Sequence, residues 1–169
     1  MTNPRRASVT HSNRASRLRV IVLGYVVRGP IGGMVWSNLQ YLMGLARLGH
    51  DVYFVEESGD SPWCCYDPRS MISDSNPTYG LQFAAQAFER IGVGDHCAYY
   101  DAHTSRWLGP CADRILEICS SADILLNLCG VNPLRPWHMK IPVRAFVDED
   151  PAFTQIRHLT DLAARSLAC

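Results

Sequence analysis

The chain has almost no lysine: Lys140 stands alone among 16 basic residues, the rest being arginines. It also lacks acid at its start. No Asp or Glu precedes Asp51, whereas Arg5, Arg6, Arg14, Arg17, Arg19, Arg28 and Arg47 all do. The arginine bias reads as a coding-composition effect more than as chemistry. Over the full length the formal charge is zero, which argues against non-specific nucleic-acid binding. No apolar run approaches the roughly 18 residues that would span a bilayer. No C-x-x-C pair occurs among Cys64, Cys65, Cys97, Cys111, Cys119, Cys129 and Cys169, and their number is odd. With no secretory apolar region at the N-terminus, free thiols in a reducing cytoplasm are the simplest expectation. The vicinal Cys64-Cys65 pair is chemically able to be redox-active, though incidental loop thiols are the favoured reading.

Other absences remove function classes. Gly24, Gly29, Gly32 and Gly33 do not form G-x-G-x-x-G, and no Gly-Lys-Ser/Thr follows them. The standard dinucleotide fingerprint and the P-loop are therefore both disfavoured. His96, Cys97, His103 and His138 match no structural zinc spacing, so no metal and no cofactor are expected. No Ser or Cys stands in a nucleophile elbow such as G-x-S-x-G.

What is present fits one domain. Of 169 residues, 47% are apolar, enough for a single core. Residues 1–17 are rich in Arg, Ser, Thr and Asn, and too poor in apolar side chains to offset the entropy of ordering. They are expected to form a disordered basic tail. The same stretch matches a mitochondrial targeting peptide less well, for want of an amphipathic stripe. As a basic arm it could also touch anionic lipid, so peripheral membrane contact stays open.

From residue 18 onward strand and helix patterns alternate. Val20–Leu23 reads as a buried parallel strand, since Val20, Ile21 and Val22 are β-branched. After Gly32-Gly33, helical spacing over Met34–Leu48 puts Val35, Leu39, Leu42 and Ala46 on one face, with Trp36 and Met43 widening it. Gly49 follows as a C-terminal cap. Val52–Val55 is a second strand ending on Glu56-Glu57. Ser58 to Asn76 reads as a long loop, with Trp63, Tyr66 and Met71 pinning it to the core in preference to forming a sugar or base platform. Asn76-Pro77 looks like an N-cap and first helical position, ahead of a helix that buries Leu81, Ala84, Ala85, Phe88 and Ile91. Cys97–Tyr100 predicts a strand, Leu108–Ser121 a helix, Ile124–Leu128 a strand, and Val143–Val147 a strand near an edge because Arg144 interrupts it. A last helix begins at Asp150-Pro151. The expected class is α/β: a Rossmann-like three-layer α/β/α domain over residues 18–169, with a mainly parallel sheet of about five strands.

In such sheets ligands bind beyond the carboxyl ends of the strands. That edge would gather Gly24–Gly33, Glu56-Glu57, Tyr100-Asp101, Asn127–Asn132 and Asp148–Asp150. Gly32 and Gly33 allow a ligand oxygen to approach a helix N-terminus, or else serve a turn that needs positive φ. Arg28 could meet a phosphate. Glu56 occupies the place where dinucleotide enzymes hold ribose hydroxyls, yet a solvated strand-end acid is its default. Asp150 suits helix capping, while Asp148, at a strand end, suits ligand binding or general-base work. Arg28, Gly32, Gly33, Glu56, Asn127, Asn132 and Asp150 are thus candidate substrate contacts, and Asp148 the candidate catalytic group.

Three stretches carry a family resemblance. They are Val20-Ile-Val-Leu-Gly24, the helix led by Gly32-Gly33, and Leu45-Ala-Arg-Leu-Gly-His-Asp-Val-Tyr-Phe-Val-Glu56. The last matches L-x-x-x-G-H-x-V followed by a strand, and Ala122-Asp-Ile-Leu-Leu-Asn127 adds a later A-D-hydrophobic strand. Together they resemble the N-terminal, acceptor-side domain of GT-B fold glycosyltransferases. The resemblance implies a cleft enzyme of two domains, with a nucleotide-sugar donor held on the C-terminal domain and no obligatory metal. It places the glycine turn near the donor phosphates or the reacting sugar. The donor-binding domain is missing from these 169 residues, so the expectation is a fragment or a stand-alone half that works with a partner, inactive alone. Histidine bases of that family have no counterpart here, and Asp148 is the substitute. A non-catalytic nucleotide- or sugar-binding module and a decayed fragment are the alternatives.

Overall fold

The computed structural model of the protein describes residues 17–149 and 151–160. The expected tail lies almost wholly outside the described residues, as does Asp150. Among the described residues eight strands and four α-helices follow in order: β1 (Arg19–Leu23), α1 (Gly32–Arg47), β2 (Asp51–Glu57), β3 (Cys65–Asp67), β4 (Ile72–Asp74), α2 (Thr78–Glu89), β5 (Cys97–Asp101), β6 (Arg106–Leu108), α3 (Ile115–Ser120), β7 (Ile124–Leu128), β8 (Val143–Val147) and α4 (Pro151–Thr160). The main sheet runs β6-β5-β2-β1-β7-β8. Every pairing in it is parallel except β5 with β6. This is the Rossmann-like α/β class expected from the alternation of patterns.

Two cores explain the pattern. On one face Val20, Val22, Val52 and Phe54 meet Val35, Leu39 and Leu42 of α1 and Ala84 and Phe88 of α2. On the other, Ile21, Leu23, Val55 and Leu125 meet Ile115, Ile118 and Cys119 of α3. Alternate residues of β1 face opposite cores, so a strand buried on both sides must be apolar throughout. Each such side chain contributes about 1.5–3 kcal/mol of burial free energy.

Several details differ from the sequence reading. Trp36 does not widen the α1 stripe; it is 53% exposed, and the buried polar Asn38 takes the place beside Val35 and Leu42. The 58–76 segment is not simply a loop, because β3 and β4 pair as an antiparallel hairpin within it. Trp63 and Met71 stay outside at 70% and 80% exposure, and the buried Cys64 and Cys65 anchor the hairpin instead. Residues 108–121 are not one helix. Arg106–Leu108 adds an edge strand, a 3-10 turn follows at Ala112–Arg114, and α3 is short. Leu116 accordingly faces solvent. Asn76 caps α2 from one residue further out than expected: its Oδ1 accepts from the Thr78 N–H at 3.0 Å.

Chain direction locates the crevice. From β1 the chain moves through α1 to β2 and then to β5, all to one side. It then returns to place β7 and β8 on the other side of β1. Connections therefore leave β1 and β7 in opposite directions, which opens a gap at their carboxyl ends.

Candidate functional site

A crevice of about 470 Å³ opens at that switch point. Tyr25, from the β1 exit, and Met34 and Asn38 of α1 form one wall. Leu128, Cys129, Val131 and Glu149, from the β7 and β8 exits, form the other. None of these side chains is basic.

Local structure explains each position. Gly24 ends β1 where any Cβ would collide with Asn38 Oδ1 and the Phe54 ring. That approach lets Asn38 hold the exit loop: its Oδ1 accepts from the Tyr25 N–H at 3.1 Å, and its Nδ2 donates to the Met34 carbonyl at 2.9 Å. Across the gap, Cys129 leaves β7 with φ 57°, in the left-handed region, and Gly130 follows at φ 63°. This double left-handed turn carries the chain sharply off the strand. The Cys129 thiol donates to Glu149 Oε2 at 3.1 Å, and the Ser37 hydroxyl of α1 donates to Oε1 at 3.2 Å. Glu149 thus ties α1 to the β7 exit while remaining exposed.

Burial, with help from Glu149, pushes the Cys129 thiol up to about 11. It is protonated at neutral pH and acts as a donor, not as a nucleophile. α1 begins without a side-chain cap and without an acid in its first turn. Gly32 and Gly33 are exposed there, with open space where a side chain would sit. Neither has a positive φ, so the turn that was one reason for two glycines is not their role.

Three sequence candidates, Glu56, Arg28 and Asn132, assemble beside the crevice in a closed network. Glu56 is fully buried, which overturns the solvated strand-end acid. Its carboxylate accepts from the backbone N–H groups of Val26 and Val27, both at 2.7 Å, and of Arg28 at 2.9 Å. Burial raises its pKa above the ordinary carboxylate value, and Arg28 with these three donors works against the rise. Arg28 lies over the Tyr25 ring at 4.7 Å and donates from Nη2 to the Val131 carbonyl at 2.9 Å. Asn132 is buried too: it accepts from the Glu57 N–H at 2.9 Å and donates to the Gly24 carbonyl at 2.7 Å. Glu56, Arg28 and Asn132 therefore splice the exits of β1, β2 and β7, with their polar groups turned toward protein. Asn127 is buried in β7 opposite Leu23 and Phe146. Asp148 is half-buried just after β8, and the crevice is lined by its neighbour Glu149.

Beyond this network the edge is filled. Arg135 forms a two-point pair with Glu57, at 2.8 and 2.7 Å. Tyr100, Trp107 and Trp137 pack as tilted and edge-on rings with centroids 4.9 to 5.5 Å apart. Trp137 donates to Nε2 of the buried His138 at 3.0 Å. Burial, and then Arg135, push the His138 pKa down to about 4.

None of the seven lining residues was a named candidate, although Tyr25, Leu128, Cys129, Val131 and Glu149 fall within the strand-end stretches gathered from the sequence. Asn38 has a signal in the sequence, since a polar residue stands on the apolar stripe between Val35 and Leu42. Glu149 was hidden by the D-x-D spacing around it. Among the described residues no cluster of three or more His, Cys, Asp or Glu could hold a metal ion. No helix among them is long and apolar enough to cross a membrane. Neither family models nor curated proteins nor solved structures give a match to this chain.

Proposed function

We propose that this chain forms the acceptor-side wall of a sugar-transfer cleft, in the manner of a GT-B N-terminal domain, facing a second α/β domain that carries the nucleotide-sugar donor. The observation that supports it best is the open switch-point crevice, lined by a carboxylate, a phenol and a thiol donor but by no cation. A diphosphate calls for arginine, lysine or a metal to offset its charge. A hydroxylated acceptor calls for acids and amphipathic aromatic rings, which this crevice has. Glu149 offers carboxylate oxygens to acceptor hydroxyls, and Tyr25 offers a ring edge. Asp148, one residue away at the β8 exit, keeps the role of candidate base. Gly32 and Gly33 leave the first turn of α1 open to an approaching sugar or phosphate oxygen.

Saturation-transfer NMR on the 169-residue chain tests this. Mono- and disaccharides should receive saturation, with shifts at Tyr25 and Glu149, and nucleoside diphosphates should not. Micromolar binding of a free nucleoside diphosphate, with no sugar response, would replace this reading with a nucleotide-binding module. Sugar transfer by the chain alone would refute the need for a facing domain.

A further inference from the structure

Away from the crevice, Cys64 and Cys65 stand where the hairpin joins the sheet. Their sulfurs lie 3.6 Å apart, and both residues are buried. The Cys65 sulfur is also 3.4 Å from the hydroxyl of Tyr99, a residue of β5 that is 1% exposed. On the other side, His103 Nε2 lies 3.9 Å from the Cys64 sulfur and 3.2 Å from the Ser61 carbonyl. With a carbonyl as its nearer neighbour, Nε2 carries the hydrogen. That N–H donates to the Ser61 carbonyl and lies beside the Cys64 sulfur. The next residue, Tyr66, donates its N–H to the Arg28 carbonyl at 2.9 Å. The dithiol is thus one peptide away from the loop that borders the crevice.

We infer that Cys64 and Cys65 form a site of reversible two-electron oxidation, with a hydroperoxide as the oxidant. Its geometric basis is the 3.6 Å approach of the sulfurs between His103 and Tyr99. This inference is independent of the sugar-transfer reading. The Cys64 sulfur, having lost its proton, attacks a peroxide oxygen. The O–O bond breaks, and the leaving oxygen departs as alcohol or water with the proton that Cys64 gave up. Cys64 is then a sulfenic acid. The Cys65 sulfur attacks the Cys64 sulfur, the S–O bond breaks, and the hydroxyl leaves as water with the Cys65 proton. Two thiols and one hydroperoxide give one disulfide, one water and one alcohol (or a second water). Burial pushes the Cys65 thiol up to about 12, so it keeps its proton and is not the first nucleophile. Adjacent Cα atoms are only about 3.8 Å apart, closer than disulfides prefer. The bond is strained and readily reduced by dithiols.

Oxidation draws the Cys65 sulfur toward Cys64 and away from the Tyr99 hydroxyl. It therefore loosens the hairpin against β5 and, through Tyr66, the Arg28 loop. Trypsin isolates the pair, because the fragment from Leu48 to Arg69 contains no other cysteine. Treating the full chain with equimolar hydrogen peroxide, alkylating and digesting should give that fragment two hydrogens lighter and unalkylated. Dithiothreitol should restore both thiols. In Cys65→Ser the same treatment should leave a Cys64 sulfenic acid that dimedone captures. Both thiols remaining free for alkylation while Cys129 is oxidised would overturn the inference. So would a dimedone adduct on the wild-type fragment. Amide exchange at Tyr66 should quicken several-fold on oxidation; an unchanged rate would remove the link to the crevice.

Discussion

The carboxyl edge of this sheet has two halves built from similar residue types. At the β2 and β5 exits, acids, an arginine, aromatic rings and a histidine are packed too tightly to admit a water molecule. At the β1–β7 gap, an acid, a tyrosine and a cysteine face an open crevice of about 470 Å³. Composition does not separate the halves, but chain direction does. Where successive connections leave to the same side, the exit loops fold over the strand ends and fill them. Where they diverge, nothing covers the ends. A charged residue at a strand end is therefore a loop anchor in one half and a ligand contact in the other.

The strongest way to break this comparison is at Glu56. Glu56→Ala removes the acceptor of three buried N–H groups and leaves Arg28 without its carboxylate. The expected loss of folding stability is about 3–5 kcal/mol, as for a buried pair broken on one side. Urea denaturation measures it. A near-neutral result would mean that the network is not closed and that Glu56 belongs with the open half.

Asn132 comes next. Asn132→Ala abandons the Glu57 N–H and the Gly24 carbonyl, each at about 1–3 kcal/mol, for a total of about 2–6 kcal/mol. Adding Asn132→Asp sharpens the test. An aspartate still accepts from Glu57 but cannot donate to Gly24, so it should recover only part of the loss.

A pH dependence belongs to the closed half as well. His138 is held neutral in the fold, its pKa falling from 6.5 to about 4. The unfolded chain therefore binds the extra proton between these values, and stability rises with pH across that window. The contribution is fully present above about pH 6.5 and lost as pH falls toward 4. Its size is about 3 kcal/mol, at 1.36 kcal/mol per pKa unit. His138→Gln should flatten the wild-type slope from pH 6.5 to 4 in thermal melts, relative to the carboxylate background. Equal slopes in the two proteins would show that water reaches His138 and that the edge is looser than its packing implies.

How far the sequence went follows the same division. β1, α1, β2, β7 and β8 were legible because apolar residues recur at strand or helix period and Gly49 marks a helix end. β6 and the β3–β4 hairpin were not, because three-residue strands leave no period to count. The strand-end stretches were found as a set, but the burial of Glu56 was not. Burial decides whether Glu56 meets water, and burial depends on loops whose path the local sequence does not specify. Asn38 was readable in principle, as the polar residue on an apolar stripe. Glu149 was not, because its partners Ser37 and Cys129 lie 112 and 20 residues away.

The smallest stability effect, and the sharpest separation of the halves, is expected at Glu149. Its carboxylate is exposed, and surface changes of this kind stay within about 0.5 kcal/mol. Glu149→Gln keeps the shape and one acceptor oxygen, so the melting midpoint should hardly move. What changes is the charge offered to a ligand hydroxyl. A hydrogen bond to a charged group outweighs a neutral one by roughly 1 kcal/mol, so saccharide binding should weaken by roughly fivefold. Glu56→Gln gives the opposite signature. Its new NH2 would face either the N–H groups of Val26 and Val27 or that of Arg28, which donate to different carboxylate oxygens, so stability should fall before any ligand is added. Paired melts and NMR titrations of the two variants thus read one glutamate as fold and the other as site. If Glu149→Gln melts early, or leaves the saccharide titration unchanged, the acid in the crevice is only another anchor.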